Sequence, residues 1–208
     1  MEIHLENIGR RYNREWIFKS LTHSFQSGDR CAILGPNGSG KSTLIKVLSG
    51  YLTASEGSIE YQRSDSKISI DELYAQLSIA APYIDLIEDF TLAEMITFHF
   101  KFKKYRPTFD NSTIIDYLGL QSSTNKEIKY FSSGMKQRLK LALACFSDTE
   151  ILLLDEPTSN LDAQGIAWYH NLMKESVDQN RILIIGSNQP HEYEGCTKKI
   201  HIQDYKHT

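Results

Sequence analysis

The chain has 208 residues, of which 40% are hydrophobic, and this is enough for one large domain with a buried core. Its formal net charge of −3 and isoelectric point near 6.2 argue against a nucleic-acid binder, which usually carries a basic surface. The cysteines Cys31, Cys145 and Cys196 form no Cys-x-x-Cys pair, which argues against a zinc site or a disulfide framework and favours a reducing compartment. We also expect no signal peptide and no membrane-spanning helix, because the apolar runs are too short.

The first part of the chain has the pattern of β-strands. Residues 1–34 alternate short apolar runs with two turns, which is typical of antiparallel strands. A later apolar run ends at Pro82, which cannot donate a hydrogen bond to a sheet. The predicted turns are Tyr12-Asn13-Arg14 and Ser27-Gly28-Asp29, and the predicted later strands are Gly57–Tyr61 and Leu77–Ala81.

The segment that follows the apolar run Cys31–Leu34 has the phosphate-binding pattern Gly-x-x-x-x-Gly-Lys-Ser/Thr in full, and a helical pattern with Gly50 as C-cap follows it. Glycines let backbone N–H groups turn toward phosphate oxygens, and a helix N-terminus adds partial positive charge. Lys41 is predicted to reach the β- and γ-phosphates, and Ser42 to bind Mg²⁺. The predicted nucleotide-binding residues here are Gly35, Pro36, Asn37, Gly38, Ser39, Gly40, Lys41, Ser42 and Thr43.

Beyond Pro82 the pattern becomes helical. Thr91 and Glu94 have the spacing of a capping box, and they open a predicted helix. Phe98 and Phe102, four residues apart, are predicted to pack in the core of this region. The further predicted helices are Ser112–Leu118, Ser133–Cys145 and Gln164–Val177, the further strands are Ile151–Leu154 and Ile182–Ile185, and Lys101, Lys103, Lys104 and Arg106 are predicted to form a solvated basic face.

Two carboxylates, Asp155 and Glu156, follow the predicted strand Ile151–Leu154 directly. A parallel α/β sheet presents its catalytic groups at such carboxyl ends. Asp155 is predicted to hold Mg²⁺, directly or through water. Glu156 is predicted to orient and deprotonate the attacking water, a role worth ~10²–10⁴-fold in rate. A lone Asp-Glu pair is more often a polar turn, but a phosphate loop in the same chain reverses that preference.

With these motifs, the chain resembles the ATP-binding subunit of ABC (ATP-binding cassette) transporters over nearly its whole length. Phe131-Ser132-Ser133-Gly134-Met135 stands at the position of the family's signature motif, and Thr158-Ser159-Asn160-Leu161-Asp162 matches its D-loop. The resemblance implies an α/β fold: a P-loop NTPase core with an N-terminal antiparallel β subdomain and an inserted α-helical subdomain. We expect one ABC-type ATP-binding domain over residues 1–208, with the nucleotide-binding core at 1–84 and 149–208 and the helical subdomain at 85–148.

The resemblance also implies a head-to-tail dimer that binds ATP between its subunits. Ser132, Ser133 and Gly134 of one subunit would contact the ATP held by the phosphate loop of the other, with Asp162 of the D-loop among the nucleotide-binding residues. Tyr12 stands where relatives place an aromatic residue against adenine. The partner is a second copy or a related cassette.

Two family positions are filled differently in this chain. Pro82-Tyr83 occupies the place of the Q-loop glutamine, and Gln76, which precedes the strand, is a poor substitute. Asn188 occupies the place of the histidine that contacts the γ-phosphate, and His191 would need another loop register to replace it. Because an asparagine donates a hydrogen bond but carries no proton or charge, we expect slow hydrolysis with retained ATP binding.

The resulting prediction is an ATP-hydrolysing subunit with Mg²⁺ as cofactor, which powers a separately encoded membrane permease and attaches to it at the cytoplasmic face of a membrane. A nucleotide-gated dimerising module with little hydrolysis is the first alternative. A soluble ABC ATPase outside transport is the second. Nucleic acid is not expected as a partner, and the sequence does not identify the transported substrate or its direction.

Overall fold

The computed structural model of the protein describes residues 1–64 and 66–206. In chain order the strands are β1 (Glu2–Tyr12), β2 (Glu15–Gln26), β3 (Arg30–Leu34), β4 (Glu56–Arg63), β5 (Ser66–Ile68), β6 (Leu77–Ala80), β7 (Ile151–Asp155), β8 (Ile182–Ser187) and β9 (Lys198–His201). The α-helices are α1 (Lys41–Leu48), α2 (Ile70–Gln76), α3 (Leu92–His99), α4 (Asn111–Leu118), α5 (Ser133–Cys145) and α6 (Ala163–Ser176).

Contacts between Cα atoms divide the chain into two units. The first consists of Met1–Ile79, Glu150–Glu156 and Gln179–Thr208, and the second of Ala80–Thr149 and Pro157–Asp178. The expected helical subdomain, residues 85–148, falls within the second unit, which also includes the segment that contains α6. Within the described residues, no helix is long and apolar enough to cross a membrane.

The first unit contains an antiparallel sheet of strand order β2-β1-β4-β5. The predicted hairpin between β1 and β2 is confirmed, and Asn13 turns it with a left-handed φ of 54°, which asparagine tolerates better than most residues. The predicted strand at Gly57–Tyr61 is confirmed within β4. The three-residue strand β5 was not predicted, because so short a segment shows no alternation.

A second sheet of the first unit has the order β6-β7-β8-β3-β9, and its pairs β7–β8, β8–β3 and β3–β9 are parallel. The expectation of antiparallel strands throughout residues 1–34 is therefore wrong for β3, which pairs with β8 and β9. Every residue of β7 and β8 is buried, as is typical of a parallel sheet covered on both faces. Their continuous apolar runs identified them as strands, but the sequence did not show their partners.

The second unit is helical. Its predicted helices Ser112–Leu118, Ser133–Cys145 and Gln164–Val177 are confirmed to within one residue at each end, and the helix that Thr91 opens is present as α3 but ends at His99, before Phe102. The capping box also forms: the Glu94 N–H donates to the Thr91 hydroxyl at 3.3 Å, and the Thr91 N–H donates to the Glu94 carboxylate at 2.8 Å. Helix α2 of the first unit was not predicted, although Ser69 and Glu72 form the same kind of box.

Two predictions for the second unit are corrected. Phe102 lies beyond the end of α3 and is 61% exposed, so it is not a core residue, although its ring contacts Phe98 edge to face at 5.3 Å. The basic face is only partly solvated. The Arg106 guanidinium pairs with the Asp178 carboxylate at 2.6 Å, and burial lowers the pKa of Lys103 to about 8.

Candidate functional site

The carboxyl ends of three parallel strands meet at one edge of the second sheet. Ile33 of β3 pairs with Gly186 of β8, and Gly186 pairs with Asp155 of β7, so the three strands end nearly level. The chain continues from β3 into the phosphate loop, from β7 into Glu156, and from β8 into Asn188. All of these segments belong to the first unit, which therefore brings the predicted phosphate loop and both predicted carboxylates to one edge.

The phosphate loop turns into α1 at Gly40, which has a φ of 111°. A Cβ at this position would lie 2.5 Å from Cγ2 of Ile17 on β2, so the backbone conformation and the available space both require glycine. Helix α1 ends at Leu48, and its C-cap is Ser49, one residue before the predicted Gly50, which follows in the left-handed conformation. No pattern in the sequence predicted the contact between Ile17 and the loop.

Lys41 is buried and folds back over the loop that precedes it. Its Nζ donates to the carbonyl oxygens of Gly35 at 2.8 Å and Pro36 at 3.2 Å. The first turn of α1 contains no acidic residue and no side-chain cap, so its N–H groups keep the positive end of the helix open to an anion. An ammonium group and a helix N-terminus together suit an anion with several oxygens.

Asp155 is 1% exposed, and neither of its carboxylate oxygens makes a hydrogen bond of regular geometry within the described structure. Burial raises the pKa of Asp155 to about 6. The Ser42 hydroxyl lies close enough to lower this pKa somewhat, although its geometry falls outside a regular hydrogen bond, and the charge of Glu156 raises it further. A buried carboxylate that lacks a regular hydrogen bond and lies close to a hydroxyl oxygen fits a divalent cation that prefers oxygen ligands, such as Mg²⁺.

Glu156 has a left-handed φ of 45°, and its N–H donates to the Gly186 carbonyl at 2.9 Å. This conformation costs a residue other than glycine on the order of 1–3 kcal/mol and persists where the surrounding structure holds it. Such strained residues occur often at functional sites. Glu156 is also partly exposed, whereas Asp155 is buried, so the two adjacent carboxylates occupy different environments.

Asn188 reaches the phosphate loop from the end of β8. Its Nδ2 donates to Oδ1 of Asn37 at 3.1 Å. His191, the alternative considered from the sequence, lies in the short 3₁₀ helix Pro190–Glu192. The structure therefore places Asn188 against the loop.

The other predicted positions of the first unit lie in the β-sheet region and in α2. Tyr12 ends β1, is 45% exposed and has the Arg10 guanidinium 4.8 Å from its ring centroid. Gln76 is the last residue of α2.

The second unit holds the predicted signature and D-loop segments. Ser132 caps α5, and its Oγ accepts a hydrogen bond from the Met135 N–H at 3.2 Å. A Cβ at Gly134 would lie 3.1 Å from the Asn160 carbonyl oxygen, so the two segments approach closely at a glycine. Asp162 caps α6 by accepting from the Gly165 N–H at 2.7 Å.

Both segments line one cavity of about 300 Å³. The lining residues include Ser132, Ser133, Gly134, Asn160 and Asp162. Pro82 and Tyr83, at the position of the Q-loop, follow β6 along the chain and belong to the second unit, where the Pro82 carbonyl accepts from Lys140 Nζ at 3.5 Å. The second unit therefore joins signature and D-loop into one concave surface.

Comparison with known proteins identifies the family. The family described as ABC transporter matches residues 18–159, so this chain belongs to the ABC transporter family, as its nucleotide-binding domain. An uncharacterized ABC transporter ATP-binding protein of Bacillus subtilis, YybJ, is 29% identical over 89% of the chain and 85% of its own length. A probable metal transport system ATP-binding protein of Thermotoga maritima is 32% identical over 88% of the chain and 72% of its own length.

Solved structures confirm the predicted fold. The dimeric structure of MJ0796, a bacterial ABC transporter cassette, superposes with a TM-score of 0.80 at 22% identity and covers 96% of this chain and 94% of its own. The P-loop NTPase core, the N-terminal antiparallel sheet and the helical part predicted from the sequence are thus the architecture of ABC cassettes.

The raised pKa of Asp155 predicts a pH-dependent effect of Asp155→Asn. The folded chain takes up a proton between the ordinary pKa of 3.8 and the folded value of about 6, so its stability rises as the pH falls through that range. Because the charge is absent in the variant, we expect Asp155→Asn to raise the free energy of unfolding at pH 8 by up to about 3 kcal/mol, at about 1.4 kcal/mol per pKa unit. Urea unfolding of the nucleotide-free chain measures this.

At pH 5 the gain in the free energy of unfolding from Asp155→Asn should be smaller than at pH 8, because Asp155 of the native chain is then mostly protonated. Asp148→Asn is a matched control, since Asp148 is exposed. An equal gain at pH 5 and pH 8 would contradict the assignment of the raised pKa to Asp155.

Proposed function

We propose that this chain binds ATP with Mg²⁺ and hydrolyses it to drive a separately encoded membrane permease, to which it attaches at the cytoplasmic face of a membrane. The observation that carries the proposal is the convergence of the phosphate loop, Asp155, Glu156 and Asn188 at one sheet edge within the first unit. A structural turn would need none of these groups at the same edge.

In this proposal, backbone N–H groups of the loop and of the first turn of α1 hold the phosphates. Lys41 exchanges its two carbonyl partners for phosphate oxygens, which offer an ammonium group stronger, charge-assisted hydrogen bonds. Ser42 and Asp155 hold Mg²⁺, which when bound neutralises charge on the phosphate oxygens. This role is supported by the Asp155 carboxylate, whose oxygens make no hydrogen bond of regular geometry in the described structure.

Glu156 acts as the general base that orients and deprotonates the attacking water. Its neighbour Asp155 is buried and committed to the cation, whereas Glu156 is partly exposed and open to water. Asn188 donates a hydrogen bond toward the γ-phosphate from its place beside Asn37. Because an amide supplies neither charge nor a proton, hydrolysis is slow while ATP binding is retained.

A second cassette completes the site. Ser132, Ser133 and Gly134 lie at the N-terminus of α5, where the helix dipole and free N–H groups favour a phosphate held by the other subunit. Asp162 and the D-loop border the same cavity. Tyr12 stacks on adenine with the ring face that Arg10 leaves open.

The relatives support this assignment. MJ0796 has been solved as a dimer, and also as a dimer in a post-hydrolysis state bound to ADP and Pi. The Thermotoga maritima relative is described as part of a probable metal transport system. These properties are theirs, and they favour dimerisation, hydrolysis and a transport partner for this chain.

Glu156→Gln tests the hydrolytic part of the proposal. We expect native steady-state ATP hydrolysis to depend on Mg²⁺ and to fall by ~10²-fold or more in the variant, because the amide cannot take up a proton. ATP affinity should be retained, and a coupled-enzyme assay beside a fluorescent-nucleotide titration measures both. Glu194→Gln, which neutralises an exposed carboxylate elsewhere in the first unit, is the matched control. Equal turnover in the native chain and Glu156→Gln would refute the role of Glu156.

Asn188→His tests the explanation for slow hydrolysis. An imidazole at this position can carry charge and a proton to the transferring phosphoryl group, so we expect turnover to rise by about tenfold with little change in ATP affinity. Asn188→Gln, which keeps an uncharged amide, should not raise it. An unchanged or lower rate in Asn188→His would overturn the explanation.

Capture from native membranes tests the transport partner. A tagged Glu156→Gln chain should retain ATP and hold its complexes, so we expect a multispanning membrane protein to co-purify in the presence of ATP with Mg²⁺.

A second candidate function, a nucleotide-gated dimer with little turnover, is favoured by Pro82-Tyr83 and Asn188 at the two altered positions. ATP-dependent dimerisation without a membrane partner and without turnover would support that candidate instead.

A further inference from the structure

We propose that Ser187 and Glu192 form a buried clamp that positions Asn188 on the phosphate loop. These two residues belong to no motif that the sequence analysis used. They are positioning residues, since they act through Asn188. The effect of the clamp on turnover rests on the proposed function, whereas the clamp itself is a property of the nucleotide-free chain.

Ser187, the last residue of β8, is fully buried and joins two parts of the loop that follows. Its hydroxyl donates to the carboxylate of Glu192. The same oxygen accepts from the Gln189 N–H at 2.8 Å. One serine hydroxyl therefore ties the backbone beyond Asn188 to a carboxylate five residues along the chain.

Glu192 is 4% exposed, which is unusual for a glutamate. A carboxylate at such a position needs hydrogen-bond donors to offset the loss of water, and Ser187 supplies one. The backbone closes the same loop, because the Glu192 N–H donates to the Gln189 carbonyl at 3.0 Å. Residues 187–192 are thereby held at both ends.

Asn188 lies between Ser187 and Gln189, the two residues that the clamp holds, and is itself exposed. Its side chain has one partner in the described structure, Oδ1 of Asn37 at 3.1 Å. Ser187 also pairs with Leu34, the residue immediately before the phosphate loop. The clamp thus sets the distance between the Asn188 side chain and the loop, because it is anchored on the strand next to the one that leads into the loop.

The clamp makes a prediction that simple stabilisation of the fold does not make. If Ser187 acts through Asn188, removing its hydroxyl matters only while the Asn188 amide is present. If Ser187 only stabilises the chain, the two substitutions act independently, and the double variant lowers kcat by the product of the two single-variant factors. A double-mutant cycle separates the two cases.

The cycle uses Ser187→Ala, Asn188→Ala and the double variant in the full chain, with kcat and KM for ATP measured at a temperature where all variants are folded. We expect each single variant to lower kcat by about fivefold, the value of one hydrogen bond. The double variant should be no slower than Asn188→Ala. Glu192→Ala should match Ser187→Ala, and Glu192→Gln, which keeps an acceptor for the hydroxyl, should restore most of the rate. If kcat of the double variant falls by the product of the two single-variant losses, the proposal is overturned.

A second measurement does not need hydrolysis. In the ¹⁵N-labelled, nucleotide-free chain, we expect Ser187→Ala to shift or broaden the side-chain amide signals of Asn188 and Asn37. Ser176→Ala is the matched control, because it removes another buried hydroxyl, which donates to the Leu172 carbonyl at 2.7 Å. Unchanged Asn188 signals in Ser187→Ala would overturn the clamp. Shifted signals in a chain without turnover would support the clamp and count against hydrolysis as the function.

Discussion

Parallel hydrogen bonding between β3, β8 and β7 is the interaction on which the candidate site depends. The register pairs Ile33 with Gly186 and Gly186 with Asp155, so that three distant parts of the chain end at the same level. Each strand then delivers a different group: the phosphate loop, the two carboxylates, and Asn188. A slip of one residue in any of these pairs would turn its side chains to the other face of the sheet and separate the groups.

The nucleotide-free site holds polar groups in conditions that a globular protein usually avoids. Asp155 is buried without a hydrogen bond of regular geometry, Glu156 adopts a left-handed conformation, and the buried Lys41 ammonium group donates to two carbonyls of its own loop. The first two features cost free energy in the chain without a ligand. A cation beside the Asp155 carboxylate and anionic oxygens beside the Lys41 ammonium group would each offset the burial of a charged group.

The two altered family positions differ in their structural consequences. Asn188 contacts the phosphate loop through Asn37, so an uncharged amide lies against the loop at this position. Pro82 removes a backbone donor and a flexible polar side chain together, and the segment follows β6 as a turn.

The sequence by itself determined the elements whose signals are local. The phosphate loop, the apolar strands β7 and β8, and the capping box at Thr91 are patterns of adjacent residues, and the structure confirms these elements. Tertiary structure decided everything that depends on which segments meet. It placed β3 in the parallel sheet, left Phe102 exposed, and brought Ile17 against Gly40, because strand partners and solvent exposure depend on distant residues. The bond between Ser187 and Glu192 was equally hidden, since spacing in sequence does not show that a carboxylate is buried.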